Sequence, residues 1–114
     1  MTAKLEHSKQ EDILLFINGE FVRSASGETF ENINPYTNEK INDVESGSRA
    51  DIDKAVEAAS VAFHRTWKTI KRSERMSYMY RIADMIDQRI EEIAYFESLD
   101  TGLPIKQTRN MVAR

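Results

Sequence analysis

The chain holds 114 residues, a length that fits one small domain. Lys and Arg number 16 against 19 Asp and Glu, a net charge of −3, so no whole-chain positive field exists to attract nucleic acid. There is no Cys, which removes disulfides, thiolate metal sites and a thiol nucleophile from this polypeptide and agrees with a reducing, cytoplasmic setting.

Residues 1–12, MTAKLEHSKQED, are polar and carry acids, so they read as a flexible tail rather than a secretory signal or transit peptide. The expected domain is 13–114. Its longest apolar run, at 13–17, holds five residues, far short of the ~18–20 that span a bilayer. Within ILLFINGEFVR, apolar residues flank Asn18-Gly19, a pair that readily takes the positive φ of a type I′ turn, so 15–17 and 20–22 should form a tight hairpin. SASG (24–27) reads as a loop. ETFENINP (28–35) sets Phe30 and Ile33 among polar neighbours and stops at Pro35, which has no amide to donate to a ladder. TNEK turns the chain, and KINDVES (40–46) reads as a short, weaker strand.

After Gly47 the period becomes helical. Ile52, Ala55, Val56, Ala59, Ala62 and Phe63 share one face, with Ser48 as N-cap and Asp51 in the first turn, where the helix dipole favours an acid. The small Ala positions predict close packing against another element. TWKTIKR (66–72) reads as a linker. A second helix is predicted from Ser73, with Met76, Met79, Tyr80, Ala83 and Ile86 on one face. Its pattern continues through Ile90, Ile93, Ala94 and Leu99, with a break near 88–89. Pro104 is placed to open another helix. The fold class is therefore α+β and mainly helical: β-hairpins followed by amphipathic helices.

Little of this carries chemistry. With four Gly, the chain contains neither GxGxxG nor GxxxxGK[ST]. His7 and His64 stand alone, without a second His or a Cys at metal-ligand spacing. Six Arg and Lys between Arg65 and Arg81 interleave with Trp67, Tyr78 and Tyr80, which a nucleic-acid surface would use. Glu74 interrupts that cluster, so it reads as a solvated helix junction with its rings turned inward, and no nucleic-acid or membrane partner is expected. SLDTGLP (98–104) contains the Asp-Thr-Gly triplet of aspartic proteases. Those enzymes set it after an apolar strand and need many strands afterwards. Here EEIAYFESLD leads in at helical spacing and twelve residues follow Gly102, so the triplet reads as a junction between helices.

FINGEFVRSASGETFENINPYTNE (16–39), ADIDKAVEAASVAFHRTW (50–67), SERMSYMYRIADMID (73–87) and ESLDTGLP (97–104), in this order, resemble the N-terminus of the NAD(P)-dependent aldehyde dehydrogenase superfamily. With Leu103 where many members have Lys, DTGLPIKQTRNM is most similar to the 5-carboxymethyl-2-hydroxymuconate semialdehyde dehydrogenase branch. The resemblance implies the N-terminal part of an α/β cofactor-binding domain, from an enzyme several times longer that oxidises an aldehyde to a carboxylic acid with NAD or NADP. In that family a Cys attacks the aldehyde, hydride passes to the cofactor, a Glu activates water, and an Asn with a backbone amide stabilises the oxyanion. None of those groups falls in this stretch, so no catalytic or cofactor-binding residue, cofactor binding or turnover is expected of the 114 residues alone. The helices would pack on the parent's dinucleotide-binding sheet; without it they should self-associate, and a homo-oligomer is expected. The resemblance also implies a monovalent cation site using the backbone carbonyls of Asn32 and Ile33 and the carboxylate of Asp100. The alternative is that Asp100 accepts hydrogen bonds from backbone amides at the helix end. A rival reading of the whole chain is a non-catalytic helical interaction module.

Overall fold

The computed structural model describes residues 11–113; residues 1–10, with most of the predicted tail and His7, and Arg114 lie outside the described residues. Strands β1 (Leu15–Ile17) and β2 (Glu20–Val22) form an antiparallel hairpin with Leu15 opposite Val22, as the Asn-Gly turn predicts. Asn18 and Gly19 take φ of 55° and 82°, the positive pair that a type I′ turn demands. Phe16 and Phe21 face each other across it, ring centroids 5.0 Å apart.

A separate antiparallel hairpin joins β3 (Thr29–Ile33) to β4 (Lys40–Glu45). Asn34 builds its turn: the side-chain oxygen accepts from the amides of Tyr36 and Thr37 at 2.8 and 3.3 Å. β4 is better anchored than its composition suggests. Its far edge exchanges hydrogen bonds with Ile13, whose amide donates to the Asp43 carbonyl at 2.8 Å and whose carbonyl accepts from the Glu45 amide at 2.9 Å. Asn42 adds a side-chain bond to the Glu11 carbonyl at 3.0 Å.

Helix α1 (Arg49–Ala62) opens at Ser48, and Ser48 and Asp51 form a reciprocal capping box. Asp51 also reaches outside the helix, accepting from Ser24 Oγ at 2.8 Å and from the Ala25 amide at 3.1 Å. Beside it, Glu45 accepts from the Ser24 amide at 2.8 Å and from Arg23 at 2.7 Å. The SASG loop is thus fastened to two buried carboxylates. Hydrogen bonds from Ser48 first, then from Ser24 and Ala25, outweigh burial and hold the Asp51 carboxyl well below the usual carboxylate range.

The helical path continues past Ala62 as a π-helical turn over Phe63–Trp67, in which the Lys68 amide reaches back to the Phe63 carbonyl at 2.9 Å. Thr66 and Trp67 are therefore helical rather than linker. Helix α2 (Arg72–Gln88) starts one residue before Ser73, on Lys71 and without a side-chain cap. The predicted break falls at Arg89, and α3 (Ile90–Thr101) resumes from it. Pro104 serves as the N-cap of α4 (Ile105–Val112) rather than its first residue, because its ψ of 135° is extended. Against α3, α4 is locked by fully buried Thr108, whose hydroxyl donates to the Ala94 carbonyl at 2.9 Å.

The helix faces depart most from expectation. Ala94 alone is a buried apolar residue among the described ones, while the predicted core positions Ile52 and Val56 are 57% and 63% exposed. Every residue of α2 is exposed. Trp67 and Tyr78 do not turn inward either; they lie against each other at 6.1 Å and stay exposed. The chain presents 9752 Å² of surface, where a compact monomer of its mass presents about 6400 Å². Its radius of gyration, 17.6 Å, likewise exceeds the roughly 13 Å of a compact domain of this length.

Candidate functional site

The NP turn and the DTG turn meet, although 68 residues separate their key side chains. Asn32 Nδ2 donates to Asp100 Oδ1 at 2.7 Å, a short bond because the acceptor is a carboxylate. Gly102 closes α3 in the left-handed region, φ 74°, and a Cβ there would stand 3.1 Å from Pro35 Cγ. Glycine is thus required twice at this position, for its backbone and for the proline ring beside it. Ser98 Oγ donates to the Leu103 carbonyl, and Thr101 Oγ1 donates to the Glu97 carbonyl at 2.6 Å, so the turn is held from within.

Between the β3–β4 hairpin and α3 lies an open cleft of about 700 Å³, bordered by Asn32, Asn42, Phe96, Glu97 and Asp100 among others. The pairing of β3 with β4 shifts here: Asn32 faces Asn42, but Ile33 faces Lys40, leaving Ile41 as the extra residue of a bulge. The bulge falls where the sequence predicts two ligating carbonyls. Of the three predicted site residues, the fold brings Asn32 and Asp100 into contact and leaves Ile33 next to them in β3, 37% exposed. Asp100 takes its hydrogen bond from a side-chain amide of another element, which corrects the alternative in which backbone amides at the helix end supply it.

Asn42 was not singled out by the sequence. It is 6% exposed, its Nδ2 is used by Glu11, and its Oδ1 has no hydrogen-bond partner among the described residues. Nothing in KINDVES marks Asn42 rather than Asn32 or Asp43 as the polar residue to be buried; strand pairing on both sides of β4 decides it. His64, by contrast, is an exposed helical residue whose Nδ1 donates to the Ser60 carbonyl at 2.8 Å. No group of three or more His, Cys, Asp or Glu side chains gathers at metal-binding distance among the described residues.

Residues 21–114 match the aldehyde dehydrogenase family. The 5-carboxymethyl-2-hydroxymuconate semialdehyde dehydrogenase of Escherichia coli is 44% identical over 97 residues, covering 85% of this chain and 20% of that protein. Among solved structures, HpcC of Thermus thermophilus superposes with a TM-score of 0.86 at 42% identity, over 90% of this chain and 20% of that one. An aldehyde dehydrogenase of Bacillus cereus, solved as its NAD+ complex, gives a TM-score of 0.86 at 39% identity, over 96% and 23%. The chain belongs to the aldehyde dehydrogenase family. It spans about a fifth of the length of the relatives it matches.

Proposed function

We propose that these residues are the N-terminal part of the cofactor-binding domain, with 13–114 as its incomplete domain segment, of an enzyme that oxidises an aldehyde to a carboxylic acid with NAD+ or NADP+. The observation that carries this reading is the NP–DTG junction, where Asn32 meets Asp100 and Gly102 meets Pro35, inside a chain whose residues 21–114 match the family. A semialdehyde is the favoured substrate class, in keeping with the Escherichia coli relative.

A dinucleotide does not fit the residues present. The described strands form two antiparallel pairs, with no parallel βαβ unit, and the four Gly of the chain build no phosphate-cradling loop. Nor does a chain without Cys hold the family's nucleophile. The contribution of this stretch is architectural, and the 114 residues alone are inactive. The enzyme is read as cytoplasmic and oligomeric; the lack of Cys agrees with the first, and no described helix is long and apolar enough to cross a membrane.

The cation reading belongs to the same junction. The carbonyls of Asn32 and Ile33 and the Oδ2 of Asp100, which has no hydrogen-bond partner among the described residues, are hard oxygen donors of the kind an alkali cation takes, and the bulge interrupts the ladder there. Further oxygens must come from outside this stretch. A rival reading, a non-catalytic self-associating helical module, draws on the exposure of α2.

The experiment is an assay of aldehyde-dependent NAD(P)H formation. The 114-residue chain should give no turnover with a semialdehyde, whereas the same chain fused to the remainder of a family member should give it. Turnover by the short chain, or an inactive but folded fusion, would overturn the reading. Potassium titration of the fusion and of its Asp100→Ala variant tests the cation site; identical salt responses would remove it.

A further inference from the structure

We propose that Asn18 is a site of spontaneous covalent modification, at which the Gly19 amide nitrogen closes on the Asn18 side chain and converts it, through a cyclic imide, to aspartate and isoaspartate. The chemistry needs water and no enzyme.

The deprotonated Gly19 nitrogen attacks Asn18 Cγ. The N–Cγ bond forms, the Cγ–Nδ2 bond breaks, and Nδ2 leaves as ammonia with the proton given up by the amide. Water then opens the imide at either carbonyl. Attack at Cγ leaves an aspartate on an unchanged backbone; attack at the former backbone carbonyl leaves an isoaspartate, with the chain running through Cβ and Cγ. Either product carries one more negative charge than the parent, whose net charge is −3.

Three features of the β1–β2 turn favour closure. Asn18 and Gly19 are both exposed, so water and base reach them. Among the described residues the Gly19 amide donates no hydrogen bond, which leaves its nitrogen open. The third is conformation. A five-membered imide holds Cβ, Cα, the carbonyl carbon and the next nitrogen nearly in plane, which for an L residue sets ψ at about −120°; with φ of about +60° this is the first central residue of a type II′ turn. Asn18 already holds φ 55°, so only the peptide plane between 18 and 19 has to flip. Types I′ and II′ both close two-residue hairpins, so β1 and β2 stay paired through the flip. Gly19 passes from φ 82° to about −80°, a change glycine makes freely, and a Cβ built there would meet nothing within 4 Å.

The other asparagines lack this combination. Asn38 has the same backbone, φ 59°, but precedes Glu39, whose Cβ crowds the nitrogen and whose amide donates to Thr37 Oγ1 at 3.4 Å. Asn34 precedes Pro35, which has no amide proton. Asn32 and Asn42 spend their Nδ2 groups on Asp100 and on the Glu11 carbonyl, and Asn110 lies within α4. The two products differ in what they do to the hairpin. Asp-Gly suits a type I′ turn as Asn-Gly does. Isoaspartate inserts a methylene into the backbone of a two-residue turn and sets Phe16 and Phe21 out of register.

The test incubates the 114-residue chain in native buffer at mildly acidic and mildly alkaline pH and maps its tryptic peptides by mass spectrometry. Peptide 10–23 contains Asn18 and no other asparagine, and peptide 24–40 contains Asn32, Asn34 and Asn38. Peptide 10–23 should gain the mass difference between water and ammonia, faster in alkali, as aspartate and isoaspartate together, while 24–40 stays unchanged. Gly19→Ala should slow conversion by about tenfold, with circular dichroism checking that its fold persists. Asn18→Asp should show no further mass change in 10–23, and its thermal midpoint should lie above that of the purified isoaspartyl form. Conversion of Asn38 as fast as Asn18, or of Gly19→Ala as fast as the parent, overturns the proposal. So does conversion confined to urea, which would mean that the folded turn shields the amide, and so does aspartate without isoaspartate, which would mean direct hydrolysis.

Discussion

The loop at Ser24 and the helix α2 stand at opposite ends of the same physical problem. Around Ser24 the buried groups are polar, and each carboxylate oxygen meets a donor from the loop, from Arg23 or from the cap of α1. Along α2 the groups are apolar and meet water. Hydrogen bonds are short-ranged and stoichiometric, so a few nearby residues can satisfy them completely. Apolar burial scales with area and needs a large body on the other side. The difference teaches that polar groups are satisfied by residues close at hand, whereas the apolar residues of α2 stay exposed among the described residues.

Three substitutions break or sharpen that contrast. The largest loss of stability should follow Asp51→Ala, which removes the acceptor of Ser24 Oγ and of the Ala25 and Ser48 amides together and dismantles the capping box. The pH dependence follows from the lowered pKa. Above the unfolded carboxylate value of about 3.9 its contribution is complete, and it is lost as pH falls from there toward the lower folded value. The gap in urea midpoint between the parent and the variant should therefore stay constant from pH 7 to about pH 4 and begin to narrow below it; a gap that does not narrow in acid would show that Asp51 is not the titrating group.

Gly102→Val ranks next, at about 2 kcal/mol, because φ is positive and Pro35 occupies the space beside it. A shift of the thermal midpoint smaller than that of a surface substitution would mean the two turns do not touch. Met79→Glu should be the smallest, within about 0.5 kcal/mol in the isolated chain, since Met79 is 63% exposed. A large destabilisation there would mean that α2 already has a partner, most simply a second copy, and a concentration-dependent midpoint would reveal it.

Much of the fold was legible because its signals are local. Asn18-Gly19 dictates a hairpin through backbone conformation alone, Ser48 and Asp51 cap a helix from three residues apart, and Gly102 and Pro104 punctuate the last junction. The π-helical turn at Phe63–Trp67 was not legible, since its composition resembles a charged linker and its register depends on how α1 continues. At the site, Asn32 and Asp100 came from family resemblance, whereas the burial of Asn42 came from neither pattern nor resemblance.

By itself the sequence determined the element order, the caps, the turns and the absence of a thiol, because each depends on residues within a few positions of one another. The tertiary structure decided that Asn32 reaches Asp100 rather than water, that Gly102 must clear Pro35, and that α2 is left bare. Those outcomes depend on which distant segments arrive.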